Sequence, residues 1–253
     1  MSCVTSVEET IQTIRKHRSI RRFARRELPA EVKLTLLECA IRAPTTAMGH
    51  FYSIIEVVDR SLRSRLYRIC GGQETLLQGT MFIFSLDLRR SSLWAVHLGV
   101  ERMIDGFTGL IFATVDAALA AQNLSLAAES LGLGTVFIGT VGHNALEVSE
   151  LLDLPSEVLP VIGLIVGYPA EDPAIRPRIP LAYLHHVDSY RDTQPAEIEA
   201  AISAIGNWSA GEVPAKRDQA QRRAFVRTIL GGRWWVDGEE SLRRALVRQG
   251  MSP

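Results

Sequence analysis

The chain has 253 residues, 47% of them hydrophobic and 22% charged. That is long enough to bury a core as one large domain or two small ones. The 28 Lys and Arg balance 28 Asp and Glu, and a net charge of zero argues against a general nucleic-acid binder and against an acidic disordered chain.

The first residues, MSCVTSVEET, hold two acids and no long apolar run, so no secretory signal is expected. Val7 to Lys16 reads as a helix, with Ser6 as N-cap and Glu9 completing a capping box. Seven Lys or Arg then crowd Arg15 to Arg26. A second helix is expected over Glu31 to Arg42, stopped by Pro44. Ser53 to Asp59 and Met81 to Leu88 are strand candidates, with a helix at Ser61 to Cys70 between them. A long helix is expected from Thr108 to Leu131, ending at Gly132. Its apolar run is broken by Asp116, Gln122, Asn123 and Glu129, and falls short of the roughly 20 residues a membrane span needs; a buried core helix explains it better. Thr135 to Val141 is a third strand and Asn144 to Leu152 a short helix. Leu159 to Tyr168 is a fourth strand, apolar enough to be covered on both faces. Beyond Pro169 the pattern loosens, with helical stretches at Ala196 to Ile205 and Asp218 to Leu230. Trp208, Trp234 and Trp235 suggest a large buried feature in this tail. Four strands among unequal helices suggest an α/β or α+β sandwich, with no sharp domain boundary.

Cys3, Cys39 and Cys70 have no zinc spacing and read as reduced thiols in a reducing, cytoplasmic compartment. His143, His185 and His186 have no ligand-like spacing with acids, so no metal is expected, and no nucleophile elbow appears. The basic stretch has three readings: a nucleic-acid arm, a solvated surface, or a grip on one compact anion. The third fits best, because Ile20 and Phe23 sit inside it as apolar anchors. Arg176 and Arg178 flank Pro177 and would point the same way on an extended backbone, either as a second grip on that anion or as plain surface. Gly132-Leu133-Gly134 follows a helix and precedes a strand, which excludes a dinucleotide fingerprint and favours a C-cap; Gly71-Gly72 reads as another. Anion-gripping residues, glycine turns and apolar strands together suit a protein whose chemistry belongs to a bound cofactor.

At this point the sequence resembles the nitroreductase family, most closely its oxygen-insensitive, NADPH-preferring nitroreductase and flavin-reductase branch. The likeness lies in an ordered set: His17-Arg18-Ser19-Ile20-Arg21-Arg22-Phe23, Arg42-Ala43-Pro44-Thr45-Thr46, Cys70-Gly71-Gly72-Gln73, Ala121-Gln122-Asn123-Leu124 and Ala127-Ala128-Glu129-Ser130-Leu131-Gly132-Leu133-Gly134. Phe137-Ile138-Gly139, Leu154-Pro155 with Pro160, Gly167-Tyr168-Pro169 and Arg176-Pro177-Arg178-Ile179-Pro180 complete it, over roughly Val7 to Arg191.

The resemblance implies an α+β, nitroreductase-like fold: a central, mainly antiparallel sheet flanked by helices, in a homodimer with FMN at the subunit interface. It implies an FMN-binding domain over 1–192 and a helical C-terminal extension over 193–253 that contacts the partner subunit or NADPH. His17, Ser19, Arg176 and Arg178 would hold the FMN phosphate, with Arg18 helping through its backbone and flank. Arg21 would reach the ribityl chain and the N1–O2 edge of the ring, where a cation stabilises the reduced flavin. Gln73 would hydrogen-bond the ring's polar edge, Phe137, Ile138 and Gly139 would pack on it, and Thr45 and Thr46 would keep hydroxyls nearby. Met48 and His50 replace amides common in relatives, and Thr140 replaces a second glycine. Lys216, Arg217, Arg222 and Arg223 would meet an NADPH 2′-phosphate, unless they only line a surface helix. The implied activity is NAD(P)H oxidation with ping-pong transfer of two electrons to nitroaromatics, quinones or flavins; the alternative is an FMN-binding storage, sensor or regulatory module without turnover. Neither a nucleic acid nor a membrane is expected as partner.

Overall fold

The apolar strand segments pair into one four-stranded sheet. In a computed structural model that describes residues 3–101, 106–206 and 218–251, the N-terminal helix α1 (Cys3–Arg15) and α2 (Ala30–Ala40) precede strand β1 (Tyr52–Glu56). Then come α3 (Arg60–Ile69), β2 (Thr80–Asp87), α4 (Arg89–Leu98) and the long α5 (Gly106–Ser130). Next are β3 (Gly134–Ile138), α6 (Thr140–His143), α7 (Ala145–Leu151) and β4 (Val158–Gly167). Helices α8 (Pro195–Gly206), α9 (Gln219–Gly231) and α10 (Arg233–Arg248) follow. The strand order is β1-β2-β4-β3 and every neighbouring pair is antiparallel. The α+β class with an antiparallel sheet is as expected.

Alternation along the strands builds two cores. Phe82, Phe84, Leu164 and Val166 face one way, onto Leu36 and Ala40 of α2 and the alanine-rich side of α5. Met81, Ile83 and Ile165 face the other way, onto Leu66 of α3 and Val148 and Leu151 of α7. The fourth strand is therefore covered on both faces, as its composition predicts. Truncating Phe82 or Phe84, both fully buried, would cost about 3–5 kcal/mol.

The structure moves several boundaries. Helix α1 starts at Cys3, so Ser6 lies inside it and is not its N-cap. Helix α2 ends at Ala40, before the reach of Pro44. The third strand stops at Ile138, where its ladder with Gly163 ends, and Thr140–His143 coils instead. A Cβ on Gly142 would lie 2.3 Å from the Val161 carbonyl oxygen, so this turn needs glycine to tuck under β4. Helix α4 was not foreseen, and α10 falls within the extension expected to be helical without bounds of its own.

The expected C-cap after α5 is present. Gly132 is left-handed, Leu133 N–H donates to Ala128 O at 3.0 Å and Gly132 N–H to Glu129 O at 3.0 Å, the Schellman pattern. Helix α5 is long and apolar enough to cross a membrane by length and composition. Here one side of it is core: Ala117, Ala120, Ala121, Leu124 and the carboxylate of Asp116 are buried.

The chain divides into two compact units, 1–172 with 237–253, and 173–236. In the first, Ala245, Leu246 and Met251 join Phe51, Leu86, Leu88 and Leu110 in a third cluster. In the second, α8 and α9 lie close, for a Cβ on Gly206 would come within 2.6 Å of Arg222 Cβ. Asp218 and Gln221 form the capping box that starts α9. Trp234 and Trp235 stack edge to face at 4.6 Å and are 44% and 54% exposed in the single chain, so the described residues of this chain do not themselves bury them. Trp208 lies outside the described residues.

Candidate functional site

The basic motif is laid along the free edge of β3. Ser19 bridges Thr135 in parallel, and Ile20 N–H donates to the Thr135 carbonyl at 2.8 Å. Phe23 N–H donates to Gln78 Oε1 at 2.8 Å, and Ala24 N–H to the Tyr168 carbonyl at 2.9 Å. Ile20 and Phe23 are both buried, the anchoring their apolar character predicts. Gly134 makes the approach possible, since a Cβ there would sit 2.8 Å from Ile20 Cβ.

With the backbone fixed, the side chains take up distinct partners. His17 Nδ1 meets Glu129 Oε1 at 2.7 Å. Arg18 pairs with Asp172, while its Nε is buried with no partner. Arg21 Nη1 donates to the Ser19 carbonyl at 3.5 Å, and the Arg21 carbonyl accepts from Thr75 Oγ1 at 2.9 Å. Glu171 accepts from the Arg21 N–H, from the Arg22 N–H at 3.1 Å and from Arg22 Nε at 3.0 Å. Burial acts to raise the Glu171 carboxyl, but these donors outweigh it and hold it below the usual carboxylate range.

The Thr75 bond brings Arg21 next to the segment that carries Gln73. The Gln73 amide donates to the Cys70 carbonyl at 3.0 Å and to Thr140 Oγ1 at 2.8 Å, which leaves its own carbonyl oxygen as an acceptor beside the end of β3. Phe137 is half-buried there and Ile138 buried. Gly139 is exposed, and a Cβ on it would meet nothing within 4 Å: the strand end opens onto empty space. Arg63 braces this segment from below, donating to the carbonyls of Leu76, Gln78 and Gly79.

The structure therefore joins His17, Arg18, Ser19, Arg21, Gln73 and Phe137–Gly139 on one sheet edge. Thr45 and Thr46 are engaged elsewhere. Both hydroxyls donate to the buried Asp116 of α5, at 2.6 Å and 3.0 Å, and the Thr46 N–H joins them at 2.9 Å. This carboxylate holds a turn in which Ala47, Met48 and His50 all have positive φ, and Met48 projects into solvent, 82% exposed. Arg176 and Arg178 belong to the second unit, where Arg178 Nη1 folds back on the Arg176 carbonyl at 3.1 Å. Lys216 and Arg217 lie outside the described residues. Arg222 donates to Ser203 at 2.7 Å and Arg223 pairs with Glu199, so both brace the α8–α9 hairpin.

Sequence reasoning missed Glu129, Glu171 and Asp116 as organisers. The only available signal was Asp116 and Glu129 as charges in an otherwise apolar helix.

A groove of about 1000 Å³ runs beside the motif, with Arg18, Glu129, Gly134 and Glu171 along it. It does not reach Gln73 or Phe137–Gly139. The donor chemistry fits FMN. A cluster of basic side chains with an unpartnered buried Arg18 Nε suits a phosphate, and an open glycine with a nearby amide carbonyl suits the edge of a flat ring.

Comparison with known proteins points the same way. Residues 14–168 match the family described as the nitroreductase family. A Staphylococcus aureus protein named "NADPH-dependent oxidoreductase" is 30% identical over 94% of this chain and 97% of its own. The structure of Bacillus megaterium NfrA2 superposes with a TM-score of 0.85 at 31% identity, covering 96% of this chain and 98% of that one. The NADPH:FMN oxidoreductase of Vibrio harveyi, solved with NAD+, gives a TM-score of 0.81 at 27% identity, covering 96% and 99%.

Proposed function

The chain belongs to the nitroreductase family, and on that premise we propose that it is an FMN-dependent oxidoreductase that oxidises NAD(P)H and passes two electrons to a nitroaromatic, a quinone or a flavin. The observation that supports the reading is the junction of the basic motif with β3, which sets His17, Arg18, Ser19 and Arg21 along one edge with Gln73. FMN held there would supply hydride acceptance and two-electron delivery.

The chain's own residues bind and tune. His17, Arg18 and Ser19 would hold the phosphate. Arg21 presents positive charge to the ring's N1–O2 edge and so favours negative charge there. Gln73 accepts a hydrogen bond from the ring edge, and Phe137, Ile138 and Gly139 provide its floor. No side chain is required as a general acid or base. The names of the relatives favour NADPH over NADH.

A second copy of the chain completes the assembly. Phe107, Ile111, Val115 and Leu119 form an exposed apolar stripe on α5 at every fourth position, opposite its buried alanines. A homodimer packed through this stripe removes it from water. Two assays test the reading: NADPH oxidation that depends on an added quinone or nitroaromatic, and the mass of the native particle in solution. Arg21→Ala with unchanged FMN affinity and unchanged flavin reduction rate would remove the role given to Arg21.

A further inference from the structure

Three side chains from separate segments converge on one carboxylate oxygen beneath the basic motif. Glu129 Oε1 receives Thr135 Oγ1 at 2.7 Å, His17 Nδ1 at 2.7 Å and Ser125 Oγ at 3.4 Å. The Ser125 and Thr135 hydroxyls lie 2.9 Å apart, and both residues are buried. The Glu129 side chain is 14% exposed and His17 is 31% exposed. Glu129 sits in the last turn of α5, just before the Schellman turn that leads into β3. The turn brings it back over Thr135, six residues on.

We propose that Glu129 is the positioning residue for His17, holding its imidazole so that Nε2 faces the FMN phosphate. The proposal rests on the FMN reading above. A carboxylate only accepts hydrogen bonds, so the ring nitrogen facing it carries a proton. That fixes Nδ1 as the inward nitrogen and leaves Nε2 outward, where it donates to the phosphate when the ring carries both protons. The ring cannot turn over without leaving a largely buried carboxylate one donor short. Thr135 couples the parts. Its carbonyl holds the Ile20 N–H and its hydroxyl holds Glu129, so motif backbone and histidine ring are referred to one strand residue. The groove that holds Arg18 is lined by Glu129 too, which sets that carboxylate beside open space. The arrangement is the phosphate counterpart of the carboxylate–histidine pairs that orient ligands at metal sites.

The test is binding of two flavins that differ only in the phosphate. FMN and riboflavin affinities are measured by quenching of flavin fluorescence on the full chain, for the wild type, Glu129→Gln, Glu129→Ala, His17→Ala and the double variant. Glu129→Ala is expected to weaken FMN about 10- to 100-fold, the loss typical of such orienting partners, and to leave riboflavin within about threefold. Glu129→Gln keeps an acceptor oxygen and is expected to restore FMN affinity to within about threefold of the wild type. The double variant is expected to bind FMN no more weakly than His17→Ala, since Glu129 acts through the ring. FMN affinity unchanged in Glu129→Ala, equal losses for both flavins, or full additivity in the double variant would each overturn the proposal. A measurement on the wild type guards against a variant that does not fold: the nitrogen-15 spectrum of the His17 ring is expected to show the proton on Nδ1, and a bare Nδ1 overturns the proposal. A wild type that takes up neither flavin overturns the FMN reading itself, and this proposal with it.

Discussion

Gln73 and Thr140, 67 positions apart, are joined by a hydrogen bond of 2.8 Å from the glutamine amide to the threonine hydroxyl. The bond fixes which end of the amide faces out, because the amide's other described bond runs to the Cys70 carbonyl. Thr140→Val removes the acceptor and frees the amide to rotate. The expected outcome is a shift in the absorbance maximum and midpoint potential of bound flavin, restored by Thr140→Ser. Unchanged values in Thr140→Val would mean that Gln73 does not meet the ring.

Asp116 organises the other candidate segment. It is 1% exposed and accepts from both threonine hydroxyls, the Thr46 N–H and the Phe51 N–H. Asp116→Asn would turn an amide group toward donors. A loss of about 2–4 kcal/mol in unfolding free energy is expected, read by urea denaturation. A loss under about 0.5 kcal/mol would show that the turn is held by other means.

Gly134→Ala tests the docking of the basic motif. The new methyl group would press on Ile20 from 2.8 Å. A cost of about 1–3 kcal/mol is expected, together with weakened FMN binding, because the motif must lift from β3. Lost stability with intact FMN affinity would separate the strand edge from the cofactor.

Acid should release the clamp at Glu171. Its carboxyl is held below the usual range in the folded chain, so its contribution is complete above the unfolded value of about 4.3 and fades as pH falls through the lower folded value. Glu171→Gln is expected to flatten the fall in melting temperature between about pH 5 and pH 3, with no change near neutrality beyond a constant offset. An identical acid profile in the variant would contradict this.

The thiols should differ in reactivity. Burial pushes the Cys70 thiol up, a hydrogen bond with Thr140 offsets part of this, and Cys39 is only half-buried. An alkylating reagent at pH 8 is expected to label Cys39 in the native protein and Cys70 only after unfolding, read by peptide mass mapping.

Most of this architecture could be read in advance from periodicity. The apolar runs at Met81–Leu88 and Leu159–Tyr168 became the two central strands, and Gly132 became the cap it looked like. What escaped was of two kinds. Helix α4 exposes Leu93, Trp94, Val96 and Leu98, so its sequence carries no clean inward stripe. The acidic organisers escaped because their partners are distant: Glu129 meets His17 across 112 positions and Asp116 meets Thr45 across 71. The basic motif itself was legible because its anchors, Ile20 and Phe23, stand among the charges they position.

The most direct test is the absorbance spectrum of the purified protein supplied with FMN, repeated without oxygen after NADPH and then NADH. A bound-flavin spectrum that bleaches on NADPH is the expected result. A flavin spectrum that persists with both coenzymes, or no uptake of FMN at all, would contradict the assignment of this chain as an NAD(P)H-dependent flavin oxidoreductase.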